Sequence, residues 1–89
     1  MEVIELREIV TGIVERCERY KPHEIVDVPY LLGIDRERSN ELFDYLMEQS
    51  EHYRSFTELL SDMVLQAKDI SELLFMMYLF GRIVEMMRV

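Results

Sequence analysis

The feature that most constrains this 89-residue chain is the stretch between Gly33 and Gly81, which contains no glycine or proline. Those two residue types are the strongest local breakers of regular structure, so their absence favours long helices. No segment shows the alternation of apolar and polar residues, bounded by turn residues, that indicates a β-strand. The chain is therefore predicted to be all-α, with one domain over residues 1–89 and one modest core.

The apolar run Leu73–Phe80 limits how these helices can pack. On a helix these residues point in every direction, and a helix that is apolar all round is buried on all sides. So short a chain offers few other helices to enclose it, and a second copy is the economical cover. We predict a homodimer interface formed by Phe75, Met76, Leu79, Phe80, Ile83 and Met87. Gly81, and likewise Gly12, would allow a partner backbone to approach closely. The alternative is that these apolar residues form only the core within the chain.

The first helix is predicted from Glu2 to Tyr20, where Pro22 ends it because the residue before a proline avoids the helical region. Its apolar residues recur at spacings of three and four and form a seam on one face. The residues of this seam are Val3, Leu6, Val10, Ile13, Cys17 and Tyr20. On such a seam the thiol of Cys17 is expected to be buried and inert.

Capping residues mark the remaining helices. Asp27 is placed to cap a short helix with Pro29 in its first turn, and Gly33 to end it in the left-handed conformation. Asp35 is then the cap of a helix over residues 36–51.

Two further start signals follow in the second half of the chain. Ser55 and Glu58 have the spacing of a capping box, which predicts a helix over residues 56–68. Asp69 starts a last helix that continues to about Met87. A single helix over residues 56–88 is the alternative, because the three-four apolar spacing continues across this boundary. The predicted fold is a small up-and-down bundle of three long helices and one short helix, completed by homodimerisation.

Charge is distributed unevenly along the chain. The net charge is −8, and residues 22–69 carry 11 acidic against 4 basic side chains. Residues 70–89 carry two of each. This balance opposes broad contact with nucleic-acid phosphates or anionic lipid. A single cysteine excludes an intramolecular disulfide framework. No segment has the roughly 20 apolar residues needed to cross a bilayer, and no signal peptide is visible, so we expect a cytoplasmic protein.

Paired acids suggest an enzymatic alternative. Glu15-x-x-Glu18 and Glu41-x-x-Asp44 have the general form of the acidic motifs in all-α nucleotide pyrophosphohydrolases, and the chain resembles the MazG family in this respect. Val14 stands where that motif commonly has another glutamate. The resemblance implies a hydrolase in which these carboxylates converge on Mg²⁺, whose preferred ligands are oxygens.

One stretch also offers a weak metal-binding set. Glu41, Asp44, Glu48 and His52 follow one another at spacings of three and four, which places them close together on a helical surface. Oxygen and imidazole ligands at that spacing suit a divalent cation, although a stable site needs a converging set. No catalytic residue and no cofactor is assigned otherwise.

A helix-turn-helix reading is a further alternative. The stretch Val28–Asp35 and the helix after it resemble the Leu-Gly-Ile turn of DNA-binding helix-turn-helix units. The helix that would enter the groove carries Arg36, Arg38 and Asn40, but also three acids that weaken phosphate contact. The favoured function is instead a non-enzymatic helical interaction or assembly module whose partner is its own copy or a larger subunit.

Overall fold

The computed structural model describes residues 3–87, which contain five helices and no strand. They are α1 (Val3–Cys17), α2 (Val28–Leu31), α3 (Arg36–Ser50), α4 (Phe56–Gln66) and α5 (Ile70–Met87). The predicted all-α class is confirmed. The predicted start of the first helix at Glu2 lies outside the described residues.

The capping residues act as the sequence predicts. Asp35 Oδ1 accepts a hydrogen bond from the Arg38 amide at 2.8 Å, and Asp27 caps α2 in the same way. Ser55 Oγ accepts one from the Glu58 amide at 3.2 Å. Gly33 follows α2 at φ +77°, in the left-handed region that glycine enters without steric cost.

Residues 56–87 form two helices, as the favoured helix boundary predicts, so the structure has four long helices beside the short one, which is one more than the predicted count. Ala67 has an extended backbone with ψ 132°, which ends α4. Asp69 Oδ1 then accepts a hydrogen bond from the Glu72 amide at 2.9 Å and starts α5. The end of α1 also differs from the prediction, because residues 18–20 form turns with hydrogen bonds to the third residue before them.

The core is built by α3, α4 and α5. Its fully buried side chains are Leu42, Leu46, Leu59, Met63 and Met76, joined by Ile34, Phe75 and Ile83. Burying large apolar side chains in this way stabilises the fold by roughly 1.5–3 kcal/mol each relative to leaving them exposed. α1 contributes no buried side chain.

α1 is held mainly by polar and aromatic contacts to α2. Arg16 Nε donates to the carbonyl of Leu31 at 2.7 Å. The Arg19 guanidinium lies 5.0 Å and 4.9 Å from the ring centroids of Tyr20 and Tyr30, and these two rings meet edge to face. The expected burial of the seam of α1 is wrong for most of its residues, since only Ile13 and Tyr20 are half-buried and the others are exposed.

Candidate protein interface

The predicted interface residues lie mostly inside the subunit. Phe75, Met76 and Ile83 belong to the core, with exposed fractions of 3%, 0% and 5%. Leu79 and Phe80 are half-buried against that core. The side chain of Met87 lies outside the described residues. These five side chains therefore offer little surface to a partner, and the homodimer prediction must be considered for the opposite face of α5.

That opposite face is apolar and open. We define the outer face of α5 as Leu74, Met77, Tyr78, Gly81 and Val84, all of which are exposed. Leu74, Met77, Gly81 and Val84 follow each other at spacings of three and four, which puts them in one stripe along the helix. Met77, near the middle of the stripe, is 47% exposed. An apolar stripe that no other part of residues 3–87 covers is the pattern of a helix–helix interface.

Gly81 has no packing reason among residues 3–87. A Cβ placed on it would meet no heavy atom within 4 Å, so an alanine would fit. Glycine in a helix interior costs about 0.5–1 kcal/mol relative to alanine, and no contact among the described residues offsets that cost. The glycine instead leaves room for close approach from outside.

Gly12 is different, and the expectation that it too serves a partner is wrong. A Cβ there would lie 3.1 Å from Nη2 of Arg16, whose guanidinium occupies the space beside it. The same guanidinium packs against Gly33. Gly12 thus makes room for the arginine that connects α1 to α2.

The charged side chains of α5 would not strongly repel a second copy at its outer face. Arg82 and Glu85 lie 3.8 Å apart at one edge and offset each other. Glu72, the other acid of the described part of the helix, is buried on the inner side. The excess of acids lies in the middle of the chain and not on this helix.

Glu72 forms an ion pair that fixes how α5 is rotated. Its Oε1 and Oε2 accept hydrogen bonds from Nη2 and Nε of Arg38 at 2.8 and 2.9 Å, and Oε1 also accepts one from the Lys68 amide. Hydrogen bonding to Arg38 holds the pKa of Glu72 below its ordinary value, against the opposing effect of burial. The same bonds raise the pKa of Arg38.

The weak metal candidates do not form a site. Glu41 pairs with Arg38 at 3.0 Å, while Asp44, Glu48 and His52 are exposed. Across residues 3–87, no three histidine, cysteine, aspartate or glutamate side chains lie close enough together to hold a metal ion. The paired acids of the enzymatic alternative therefore do not converge in this structure.

The region that resembles a helix-turn-helix is also used internally. α2 has only four residues, and Arg38, on the helix that would enter the groove, is engaged by Glu72 and Glu41. Arg36 and Asn40 remain exposed, next to exposed acids.

Cys17 is exposed, which corrects the expectation of a buried thiol. It lies on the same side of α1 as other exposed apolar residues, among them Val10 and Val14. In the part of the chain that the structure describes, no helix has the length and apolar content to cross a bilayer.

Apolar periodicity alone does not show which side of α5 is buried, and the exposed side carries Leu74, Met77 and Tyr78. A usable signal was Arg38, which lies on the same α3 stripe as Leu42 and Leu46, at spacings of four. A basic residue on a core stripe requires a buried acid, and Glu72 is the first acid within α5.

Comparisons with protein-family models, with curated proteins and with solved structures found no match to this chain.

Proposed function

We propose that the chain is a non-enzymatic helical assembly module that pairs with a second copy of itself through the outer face of α5. The observation that carries the proposal is the exposed apolar stripe centred on Met77 and Gly81. Exposed apolar patches of this kind mark interaction surfaces in soluble proteins. A homodimer with two-fold symmetry is the commonest assembly of such proteins.

The stripe is complementary to itself in an antiparallel pair. If the two-fold axis passes between Met77 and Gly81, then Met77 of each copy lies opposite Gly81 of the other. Leu74 of each copy then lies opposite Val84 of the other. The long methionine fills the space left by the glycine, and methionine adapts well to irregular gaps. Because residues 70–89 carry two acids and two bases, the copies meet without a net charge.

Replacing Met77 by glutamate is expected to weaken self-association by about 100-fold or more, since the pair would bury two like charges without partners. Sedimentation velocity from 1 to 200 µM measures the effect. The matched control is Leu65→Glu on α4, where the leucine is 84% exposed and lies outside the stripe. A native chain that stays monomeric throughout while its circular dichroism remains helical would refute the proposal. Equal weakening by both substitutions would refute it as well.

Replacing Gly81 by alanine is expected to have opposite effects on folding and on association. The helix gains about 0.5–1 kcal/mol from the better helix former, and the added Cβ meets no heavy atom of the described residues within 4 Å. The same methyl group removes the space for Met77 of the other copy, so the dissociation constant rises about tenfold. Chemical denaturation in the Met77→Glu background isolates the gain in the monomer, and sedimentation of the single variant gives the loss of pairing. Unchanged or tighter self-association would count against close approach at Gly81.

A further inference from the structure

We infer that α1 carries a second, separate self-association surface, on which two copies of this helix pair antiparallel. The residues concerned are Val3, Leu6, Val10, Val14 and Cys17, and all five are exposed. The inference goes beyond the pairing of α5 and does not depend on it.

The five residues form one narrow apolar stripe. At 100° per residue they fall within about 80° of one another around the helix axis. Arg16, whose side chain connects α1 to α2, points to a different side of the helix. The stripe therefore remains uncovered although α1 is attached to the rest of the chain.

The order of the stripe is symmetric about Val10. The spacings are three, four, four and three, so an antiparallel copy places Val10 opposite Val10 on the two-fold axis. Leu6 of each copy then faces Val14 of the other, and Val3 faces Cys17. Such a match of one patch with itself is what an isologous interface requires.

Charge favours the antiparallel orientation. Arg7 and Glu18 lie on the same edge of the stripe, before and after Val10, and neither has an ion-pair partner among residues 3–87. An antiparallel pair brings Arg7 of each copy to the same end as Glu18 of the other. A parallel pair would put the Arg7 side chains of the two copies, and likewise the two Glu18 side chains, on opposite edges of the interface, where they gain no such pairing.

The exposed area of the α1 stripe limits how tightly two copies of α1 can pair. Five side chains that are about half exposed offer roughly 400–500 Å² per copy, which is below the ~800 Å² per partner of a standard interface. α1 pairing is therefore weak by itself, and we expect it to be detected by cross-linking at about 100 µM protein. Where both surfaces act, each copy contacts two others and assemblies larger than a dimer form.

Val3→Cys tests the pairing by means of the native Cys17. In the antiparallel pair residues 3 and 17 of different copies face each other, so a glutathione redox buffer should yield a disulfide-linked dimer. Two native Cys17 residues lie about 21 Å apart along the pair, which is too far for a disulfide. We expect at least ten times more linked dimer from Val3→Cys than from the native chain.

Controls separate the possible outcomes. Met77→Glu is included in every variant, so failure of α5 pairing does not affect the result. Leu65→Cys adds an equally accessible thiol outside the stripe and should stay near the native background, and Val10→Glu added to Val3→Cys should abolish the linked dimer. Linkage of the native chain as fast as that of Val3→Cys would indicate a parallel pair and overturn the inference. Absence of linkage above the Leu65→Cys level would overturn it too.

Discussion

Replacing Glu72 by glutamine is expected to lower the free energy of unfolding by about 2–3 kcal/mol, because Arg38 then loses its buried counter-ion and keeps only the exposed Glu41. This expected loss of stability is smaller than the loss usual when a fully buried ion pair is broken, because the Arg38 side chain is still 16% exposed. Equilibrium unfolding in urea at pH 7 measures the change.

Glu41→Gln is the matched control for Glu72→Gln. Glu41 contacts the same guanidinium, but its side chain is 56% exposed, and exposed ion pairs contribute only about 0–1 kcal/mol. We expect this variant to change stability by less than about 0.5 kcal/mol. If the two variants lost the same stability, the pair between Arg38 and Glu72 would not be the contact that holds α5 to α3.

Acid provides a second measurement of the same contact. The pKa of Glu72 is lowered in the folded chain, so its ionised form stabilises the fold at any pH above the ordinary glutamate pKa of about 4.3. That contribution is lost as the pH falls from there through the lowered pKa of the folded state. The native chain should therefore lose stability more steeply below about pH 4.3 than Glu72→Gln does.

Leu42→Ala is expected to have the largest effect of any single truncation considered, a loss of about 3–5 kcal/mol. Leu42 is fully buried at the junction of α3 with the other core helices, and removing its branch leaves a cavity lined by rigid neighbours. A domain of this length has a total stability of roughly 4–13 kcal/mol. The substitution therefore removes a large part of it.

Chemical denaturation compares Leu42→Ala with Leu65→Ala, which removes the same atoms from a side chain that is 84% exposed. The control should change stability by less than about 0.5 kcal/mol. A loss below about 1 kcal/mol for Leu42→Ala would contradict the position of the core between α3, α4 and α5.

Local structure could be predicted closely from the sequence because it depends on neighbouring residues. Asp35, Ser55 and Asp69 each cap a helix through a hydrogen bond to an amide three residues later. Such contacts are specified by short spacings and by little else. The division of residues 56–87 into two helices follows from the same rule.

The rotation of α5 could not be predicted from apolar periodicity. Periodicity alone leaves Glu72 in solvent, yet this carboxylate is buried and Leu74 and Met77 are exposed. The ion pair with Arg38 joins residues 34 positions apart, so it is a contact that local spacing along α5 does not specify. The predicted interface residues were consequently placed on the face that forms the core.

The position of α1 was mispredicted for a related reason. A three-four apolar seam predicts a buried helix face, but it does not show whether that face packs against the same chain or against another. Val10 lies at the centre of its stripe and is 49% exposed. The helix is instead held by Arg16 and by the aromatic contacts of Arg19.

The attachment of α1 has a consequence for how the chain unfolds. Since no side chain of α1 is buried, residues 3–17 can separate and lose their helical structure while α3, α4 and α5 remain folded. Such partial opening costs less free energy than global unfolding, and amide protons in such segments exchange with solvent first. α1 and the three-helix core thus behave as two cooperative units, and a partner bound to α1 would slow exchange in that helix without protecting the core.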